Sequence, residues 1–241
     1  MSKKVALIFH TDNRPIKMYY NNWPDQFNTS DIQVKSFFGV SPKRKREIDN
    51  DAFYLEGKAN KLHRIIKYFL SDPAHAKAWI QAQDQWSWID KVKYVSDYAP
   101  LVSFQPDIIH IVNSSMASKI ILIKFPKKPK VIVSFRGFDT YVRPYKDSKW
   151  KRELEEIYNF ADCLHFVSFD IAKQGMCLGA PAKKCKVIYA GVNTEEFKPI
   201  HPRNKINQNG KIVILSIGEL RWQKGYEYAL PAIKNLIEKG F

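Results

Sequence analysis

The chain has 241 residues, 45% hydrophobic and 26% charged, enough to bury a full core and unlike a disordered or fibrous sequence. A formal net charge of +15 favours anionic partners, whether phosphorylated substrates, lipid headgroups or nucleic acid, and says nothing about fold. The three cysteines, Cys163, Cys177 and Cys185, lack metal or redox spacing and read as reduced thiols. No apolar run approaches the roughly 18 residues of a membrane-spanning helix.

Val5 to Phe9 reads as a strand buried on both faces, as in a parallel sheet, and is too short for the core of a secretory leader. His10 to Pro15 follows as a polar loop. Ile32 to Phe38 is the next strand, with Gly39 to Pro42 turning out of it, and Lys43 to Arg46 reads as a solvated basic loop. Asp49-Asn50-Asp51 matches the D-x-D spacing of some metal sites, but it precedes a helical pattern and reads as a loop. Leu62, Ile65, Ile66, Phe69 and Leu70 recur on one helical face, with Lys58, Lys61, Arg64 and Lys67 beside it. After Asp72, Pro73 opens a second helix carrying Trp79, Ala82, Trp86, Ile89 and Val92. This basic, aromatic-rich pair reads as packed on the sheet with a wet basic side; an anionic membrane surface is the alternative.

Pro106-Asp107 leads into a strand, Ile108 to Val112, in which His110 alternates with apolar neighbours and reads as structural. Asn113 to Ser115 caps a helix reaching Lys124, and Lys127 to Lys130 is a basic connector. Val131 to Ser134 is the next strand, ending in Phe135-Arg136-Gly137-Phe138-Asp139. Trp150 to Phe160 is a helix. Ala161-Asp162 then introduces the strand Cys163 to Val167, an N-cap at Ser168, and a helix whose apolar side is Ile171, Ala172, Met176 and Leu178. Gly179 to Pro181 stops that helix. Lys186 to Tyr189 is a second strand, broken by Gly191, and Asn193 with Glu196 forms a capping box. Strand, helix, strand and glycine elbow make a βαβ unit, and ligands of such sheets bind at the strands' carboxyl edge.

Ile200 to Gly210 is polar and asparagine-rich, a linker. Lys211 to Ile217 reads as a fresh buried strand, Gly218 as its turn, and Lys224 to Lys239 as a helix with Tyr228, Ala229, Ala232, Ile233 and Leu236 on its apolar side. The fold class is therefore α/β, a Rossmann-like doubly wound parallel sheet over residues 1–199. A linker at 200–210 joins it to 211–241, the first strand and helix of an incomplete second Rossmann-like domain. One strand and one helix cannot cover a parallel strand on both faces, so the chain reads as truncated.

Ala161-Asp162, Val167-Ser168, Gly179, Lys186, and Gly191-Val192-Asn193 with Phe197 and Pro199 form an ordered set. It resembles the retaining, nucleotide-sugar-dependent glycosyltransferases of the GT-B fold, the type that includes phosphatidylinositol mannosyltransferases and exopolysaccharide enzymes. Asn193 stands where that family carries aspartate. Pro106-Asp107 with His110 resembles the family's P-D-x-[IV]-H, and Arg136-Gly137-x-Asp139 its H-G-x-D, with arginine in place of histidine. Gly218-Glu219-Leu220-Arg221 through Lys224-Gly225 resembles G-R-L-x-x-x-K-G, which opens the donor-binding domain.

The resemblance implies sugar transfer with retention from a nucleotide-sugar donor to a polysaccharide or lipid-linked acceptor, in cell-surface polysaccharide biosynthesis. It implies no metal and no cofactor beyond the nucleotide sugar, and no nucleic-acid partner. It implies a cytoplasmic chain, peripheral on the inner face of the membrane. Arg136, Asp139 and Lys224 take the catalytic places. Gly218, Arg221, Lys224 and Asn13 take the donor phosphates, and Gly137 and Gly191 line the cleft with backbone. Arginine cannot serve as a base near neutral pH, so Arg136 is left hydrogen bonding and charge stabilisation. Glu219 occupies the family's arginine position, which leaves that cation to Arg221. The truncated chain alone is expected to have little or no transferase activity. A sugar-nucleotide epimerase of the same architecture, or a non-catalytic basic module binding membrane or nucleic acid, are the alternatives. No dinucleotide-binding, Walker, zinc-protease or nucleophile-elbow motif is present.

Overall fold

The computed structural model describes residues 2–11, 29–40, 53–56, 66, 69–70, 73–82, 87–192, 194–195, 197–198 and 213–240. The chain divides into two compact units, Met1–Ala190 and Gly191–Phe241. In the first unit, seven strands form one sheet: β1 (Lys3–Thr11), β2 (Ile32–Val40), β3 (Phe53–Glu56), β4 (Ile108–Ile111), β5 (Lys130–Phe135), β6 (Cys163–Phe166) and β7 (Cys185–Val187). Their order is β3-β2-β1-β4-β5-β6-β7, with every neighbouring pair parallel. The order reverses between β1 and β4, which opens a crevice at the carboxyl ends of those strands. This is the expected α/β, Rossmann-like doubly wound sheet.

Among the described residues, the helices whose bounds are defined are α1 (Pro73–Ala82), α2 (Trp88–Ser103), α3 (Ala117–Ile120), α4 (Arg143–Lys146), α5 (Ser148–Phe160), α6 (Phe169–Cys177) and, in the second unit, α7 (Tyr226–Glu238). Ile109 and Ile111 of β4, Val131, Val133 and Phe135 of β5, and Leu164 and Phe166 of β6 face one way. They pack with Leu101 and Val102 of α2 and with Trp150, Leu154 and Ile157 of α5. Phe135 stacks on Phe166 with ring centroids 5.0 Å apart and leans on Tyr158 at 5.6 Å. Such a fully buried aromatic layer contributes several kcal/mol in area alone.

The two Asp-led strand starts have a structural reason. The Asp107 carboxylate accepts the backbone N–H of Lys4 at 3.0 Å and the Lys127 ammonium at 2.7 Å, and these partners pull its pKa down to about 2. Asp162 likewise accepts the Val131 N–H at 2.9 Å and Lys130 at 2.8 Å. Each aspartate thus fastens the amino end of its strand to a neighbour and fixes the parallel register. Ser168 caps α6 as expected, accepting the Ile171 N–H at 3.2 Å, and Lys184 closes the far end of α5 on the carbonyls of Tyr158 and Asn159. All three cysteines are free thiols.

Several expectations need correction. β3 was not foreseen: Phe53-Tyr54-Leu55-Glu56 is an edge strand too short to show periodicity, and it follows the D-x-D triplet where a helix was expected. The helix beginning at Pro73 is two helices, because α1 ends at Ala82 and the Ser87 hydroxyl caps α2, taking the Asp90 N–H at 3.2 Å and donating to its carboxylate at 2.7 Å. Ile66, Leu70, Ile89 and Met176, placed on the apolar sides of their helices, are exposed. The helix after Ser114–Met116 stops at Ile120, and β7 ends at Val187. Val213–Ile217 forms no strand: among the described residues no strand pairs with it, and its apolar side chains are exposed. The Lys43–Arg46 run, the D-x-D triplet, the Lys58–Lys67 basic face, Asn13, the Asn193–Glu196 box and the linker's residues 200–210 lie outside the described residues. No helix among the described residues is long and apolar enough to cross a membrane.

Gly39 does not turn the chain; it continues β2, where a Cβ would lie 2.7 Å from the Met116 sulfur and 2.9 Å from the His10 carbonyl oxygen. The close approach packs the segment after β4 onto the ends of β1 and β2. Gly39→Ala is expected to destabilise the fold by about 2 kcal/mol, measured by denaturant unfolding, since Met116 is itself buried.

Candidate functional site

β5 delivers the chain to the crevice at Phe135, and the next four residues form the site's frame. Gly137 has φ +114° and ψ −51°, a backbone region closed to residues with a Cβ. That turn swings Asp139 back over its own peptide groups. One carboxylate oxygen of Asp139 accepts the Gly137 N–H at 2.9 Å and the Arg136 N–H at 3.2 Å. The other accepts the Ser114 hydroxyl at 2.6 Å, across from the segment that follows β4. The backbone carbonyl of Asp139 takes the indole N–H of Trp150 at 2.8 Å. Arg136 reaches back in turn, donating from Nε to the Val112 carbonyl at 3.3 Å. The carboxyl ends of β4 and β5 are therefore tied together by side chains from both.

The electrostatics follow from this packing. Burial raises the pKa of Asp139, and the donated hydrogen bonds from Ser114, Gly137 and Arg136 act against it. With three donors on its two oxygens, the carboxylate is engaged in holding the turn. Burial lowers the Arg136 pKa while Asp139 raises it; an arginine so placed stays a cation. The arrangement can present fixed positive charge and a rigid backbone turn at the crevice. It offers no group suited to proton abstraction.

Arg136, Gly137 and Asp139 thus come together. In the second unit, Gly218, Arg221 and Lys224 also share one turn. The Arg221 guanidinium pairs with Glu219 at 2.7 Å, so the two exposed charges offset each other. The stem of Lys224 lies alongside Gly218, whose Cβ, if present, would meet its Cδ at 3.5 Å. The Tyr226 hydroxyl donates to the Gly218 carbonyl at 3.3 Å, and Gly225, with φ +69°, starts α7. Lys224 thus sits one turn before a helix N-terminus, a place suited to an anion. Gly191 begins the second unit; a Cβ there would meet nothing within 4 Å, so space does not require glycine.

Ser114, Trp150 and the Val112 carbonyl were not anticipated from the sequence. Ser114 is fully buried beside the crevice, and the only hint was its place just after a strand end in an α/β sheet. A second polar constellation escaped notice as well. On the sheet face opposite the aromatic core, the His165 Nε2–H donates to the Ile188 carbonyl at 3.0 Å. Because that carbonyl can only accept, His165 Nδ1 is the acceptor for the Ser134 hydroxyl at 2.7 Å. Ser134 in turn accepts the His110 Nε2–H at 2.7 Å. Burial, aided by His165, holds the His110 pKa down at about 4. His110 thus sits in a hydrogen-bonded network within the sheet, alternating with the buried Ile109 and Ile111.

An uncharacterized glycosyltransferase of Methanocaldococcus jannaschii is 31% identical over 103 residues, 39% of this chain and 26% of that protein. An uncharacterized 41.2 kDa protein in the cps region of Klebsiella pneumoniae is 32% identical over 143 residues, 53% of this chain and 39% of that protein. The chain therefore spans well under half the length of these relatives. Among solved structures, the apo form of the lipopolysaccharide outer core galactosyltransferase WaaB is similar with a TM-score of 0.45 and 17% identity, covering 84% of this chain and 50% of that one. The UDP-GlcNAc 2-epimerase from Neisseria meningitidis bound to UDP-GlcNAc is similar at 0.45 and 16%, covering 76% and 46%. Residues 38–196, which include β3 to β7 and the Arg136–Asp139 turn, match the profile of Glycosyltransferase Family 4, and the chain belongs to that family.

Proposed function

We propose that the first unit is the acceptor-side domain of a nucleotide-sugar-dependent glycosyltransferase that retains anomeric configuration. The observation that carries this reading is the Arg136–Asp139 turn. It is a backbone-rigid element that carries the Arg136 guanidinium at the crevice of a doubly wound sheet, without a general base of its own. A retaining transfer of this kind asks little of a base. The acceptor hydroxyl attacks from the face that the nucleotide leaves, and the departing phosphate can itself take the proton. What the protein must supply is position and positive charge against the leaving diphosphate. Arg136 and the Gly137 backbone hold the sugar or the acceptor, and Asp139 acts as a positioning residue. Lys224, on the turn before α7, neutralises the diphosphate, and Arg221 joins it when it lets go of Glu219. The acceptor is a saccharide or a lipid-linked saccharide, consistent with a strongly basic chain working near an anionic membrane.

The test is transfer by the complete gene product, scored as nucleotide release from a panel of UDP-, GDP- and ADP-sugars with and without saccharide acceptors. Acceptor-dependent release with an unchanged anomeric configuration supports the proposal. Acceptor-independent conversion of the nucleotide sugar to an isomer would replace it with epimerisation. In the same assay Lys224→Ala is expected to lower turnover about a hundredfold, the usual loss when one fixed cation or donor is removed from a developing negative charge. Unchanged turnover would remove Lys224 from the mechanism.

A further inference from the structure

The carboxyl edge of the first unit carries a set of exposed aromatic side chains that the turn just described does not use. Phe138, Tyr145, Phe169 and Tyr189 are 60, 69, 70 and 62% exposed, and Tyr141 is exposed beside them. They come from three neighbouring places: the turn Phe138–Val142 with α4, the first residue of α6, and the segment following β7. Isolated exposed rings are ordinary, but five in one region are not.

Hydrogen bonds and ring contacts join these rings into one surface. The Tyr141 hydroxyl donates to the Asp170 carboxylate at 2.5 Å. The Gln174 side-chain amide donates to the Tyr145 hydroxyl at 2.7 Å. The rings of Phe169 and Tyr189 meet edge to face with centroids 6.1 Å apart. The surface is continuous with the crevice, since Phe138 follows Gly137 directly and Ile171 of α6 lies 3.5 Å from where a Gly137 Cβ would be.

We infer that this aromatic rim is a carbohydrate-binding surface that takes a sugar ring of the acceptor. The inference rests on the glycosyltransferase reading and adds the place and chemistry of acceptor recognition. A pyranose presents C–H groups on one face, apolar and slightly positive, which suit the negative face of an aromatic ring. Its rim presents hydroxyls, which need donors and acceptors held at fixed positions. The patch offers both in alternation: ring faces, the Asp170 carboxylate, the Gln174 amide and two tyrosine hydroxyls. Rings of this type also lose little side-chain freedom on binding. An anionic membrane is the poorer match, because Asp170 places a carboxylate among the rings where lipid headgroups would want cations.

The test is saturation-transfer NMR on the whole chain with four tetrasaccharide probes: maltotetraose, cellotetraose, α-1,6-mannotetraose and β-1,4-galactotetraose. Transfer to at least one probe is expected. The double variant Phe169→Ala with Tyr189→Ala should weaken that probe at least tenfold while leaving the circular dichroism spectrum and unfolding midpoint unchanged. No transfer from any of the four, or equal transfer to the variant, overturns the inference. Loss of binding to phosphatidylglycerol vesicles in place of sugar would make the rim a membrane surface, and a dimer that the variant splits would make it a contact between copies; either result also overturns it. Donor use separates this inference from the reading beneath it. If the complete gene product consumes a nucleotide sugar and the double variant leaves the acceptor KM unchanged, the rim proposal alone fails. If no nucleotide sugar is consumed, the glycosyltransferase reading falls first.

Discussion

Asp139→Ala is expected to lower turnover of the complete gene product more than a hundredfold and to destabilise the first unit by about 3 kcal/mol. The alanine removes the acceptor for three donors at once. The Ser114 hydroxyl, which is fully buried, loses the partner it reaches at 2.6 Å. The Gly137 N–H loses the bond that fixes a backbone held at φ +114°. With the turn slack, Arg136 is no longer aimed, and a displacement of an ångström in a positioning group is enough to account for the loss of rate. Asp139→Asn separates positioning from base catalysis. The amide oxygen can still accept the two N–H groups, and its NH2 can donate to the Ser114 oxygen, which has free lone pairs. Most of the stability and activity should therefore return. If the asparagine variant is as inactive as the alanine, Asp139 is a proton acceptor and the positioning account is wrong. Unfolding curves and steady-state rates on the two variants decide the matter.

The second large effect lies in acid. His110 binds a proton at about 4 in the folded chain, against an ordinary value of 6.5. Between those values the unfolded state holds more protons than the native state, so stability falls as pH falls. The contribution is fully present above pH 6.5 and is lost progressively down to about pH 4, about 3 kcal/mol in all. Its cause is burial on the sheet face, sharpened by His165 across the shared Ser134 hydroxyl. Denaturant unfolding from pH 4 to pH 8 should show the loss. His110→Gln, which keeps an N–H for Ser134 and cannot titrate in this range, should flatten the curve in that window. An unchanged slope in the variant would place the acid sensitivity elsewhere.

Much of this protein is legible in local pattern. Short apolar runs bounded by polar residues gave β1, β4, β5 and β6, because a parallel strand buried on both faces must be apolar throughout. Ser168 and Gly179 marked the ends of α6, since capping chemistry is written in one or two residues. The Arg136–Asp139 turn was also marked in sequence, through its resemblance to the H-G-x-D of the glycosyltransferases; its geometry, set by Gly137 at φ +114°, came only with the fold. Where the pattern was weak, the reading failed. β3 has four residues and exists only because β2 offers it an edge. Val213–Ile217 has the composition of a strand and does not form one, since ladder bonds need a partner that composition cannot supply.

Sequence alone, then, determined the α/β class and the apolar parallel strands, because burial and backbone conformation impose local demands on residue type. Only the tertiary structure decided that Asp139 is occupied by Ser114 and two peptide groups, and that Gly39 is a packing glycine and not a turn. It also decided that His110, Ser134 and His165 form one network and that five separated aromatics share one rim. Each of these depends on contacts between residues that are distant along the chain, or on which neighbour a strand or turn meets. No local pattern encodes a hydrogen bond whose two ends are brought together by sheet order.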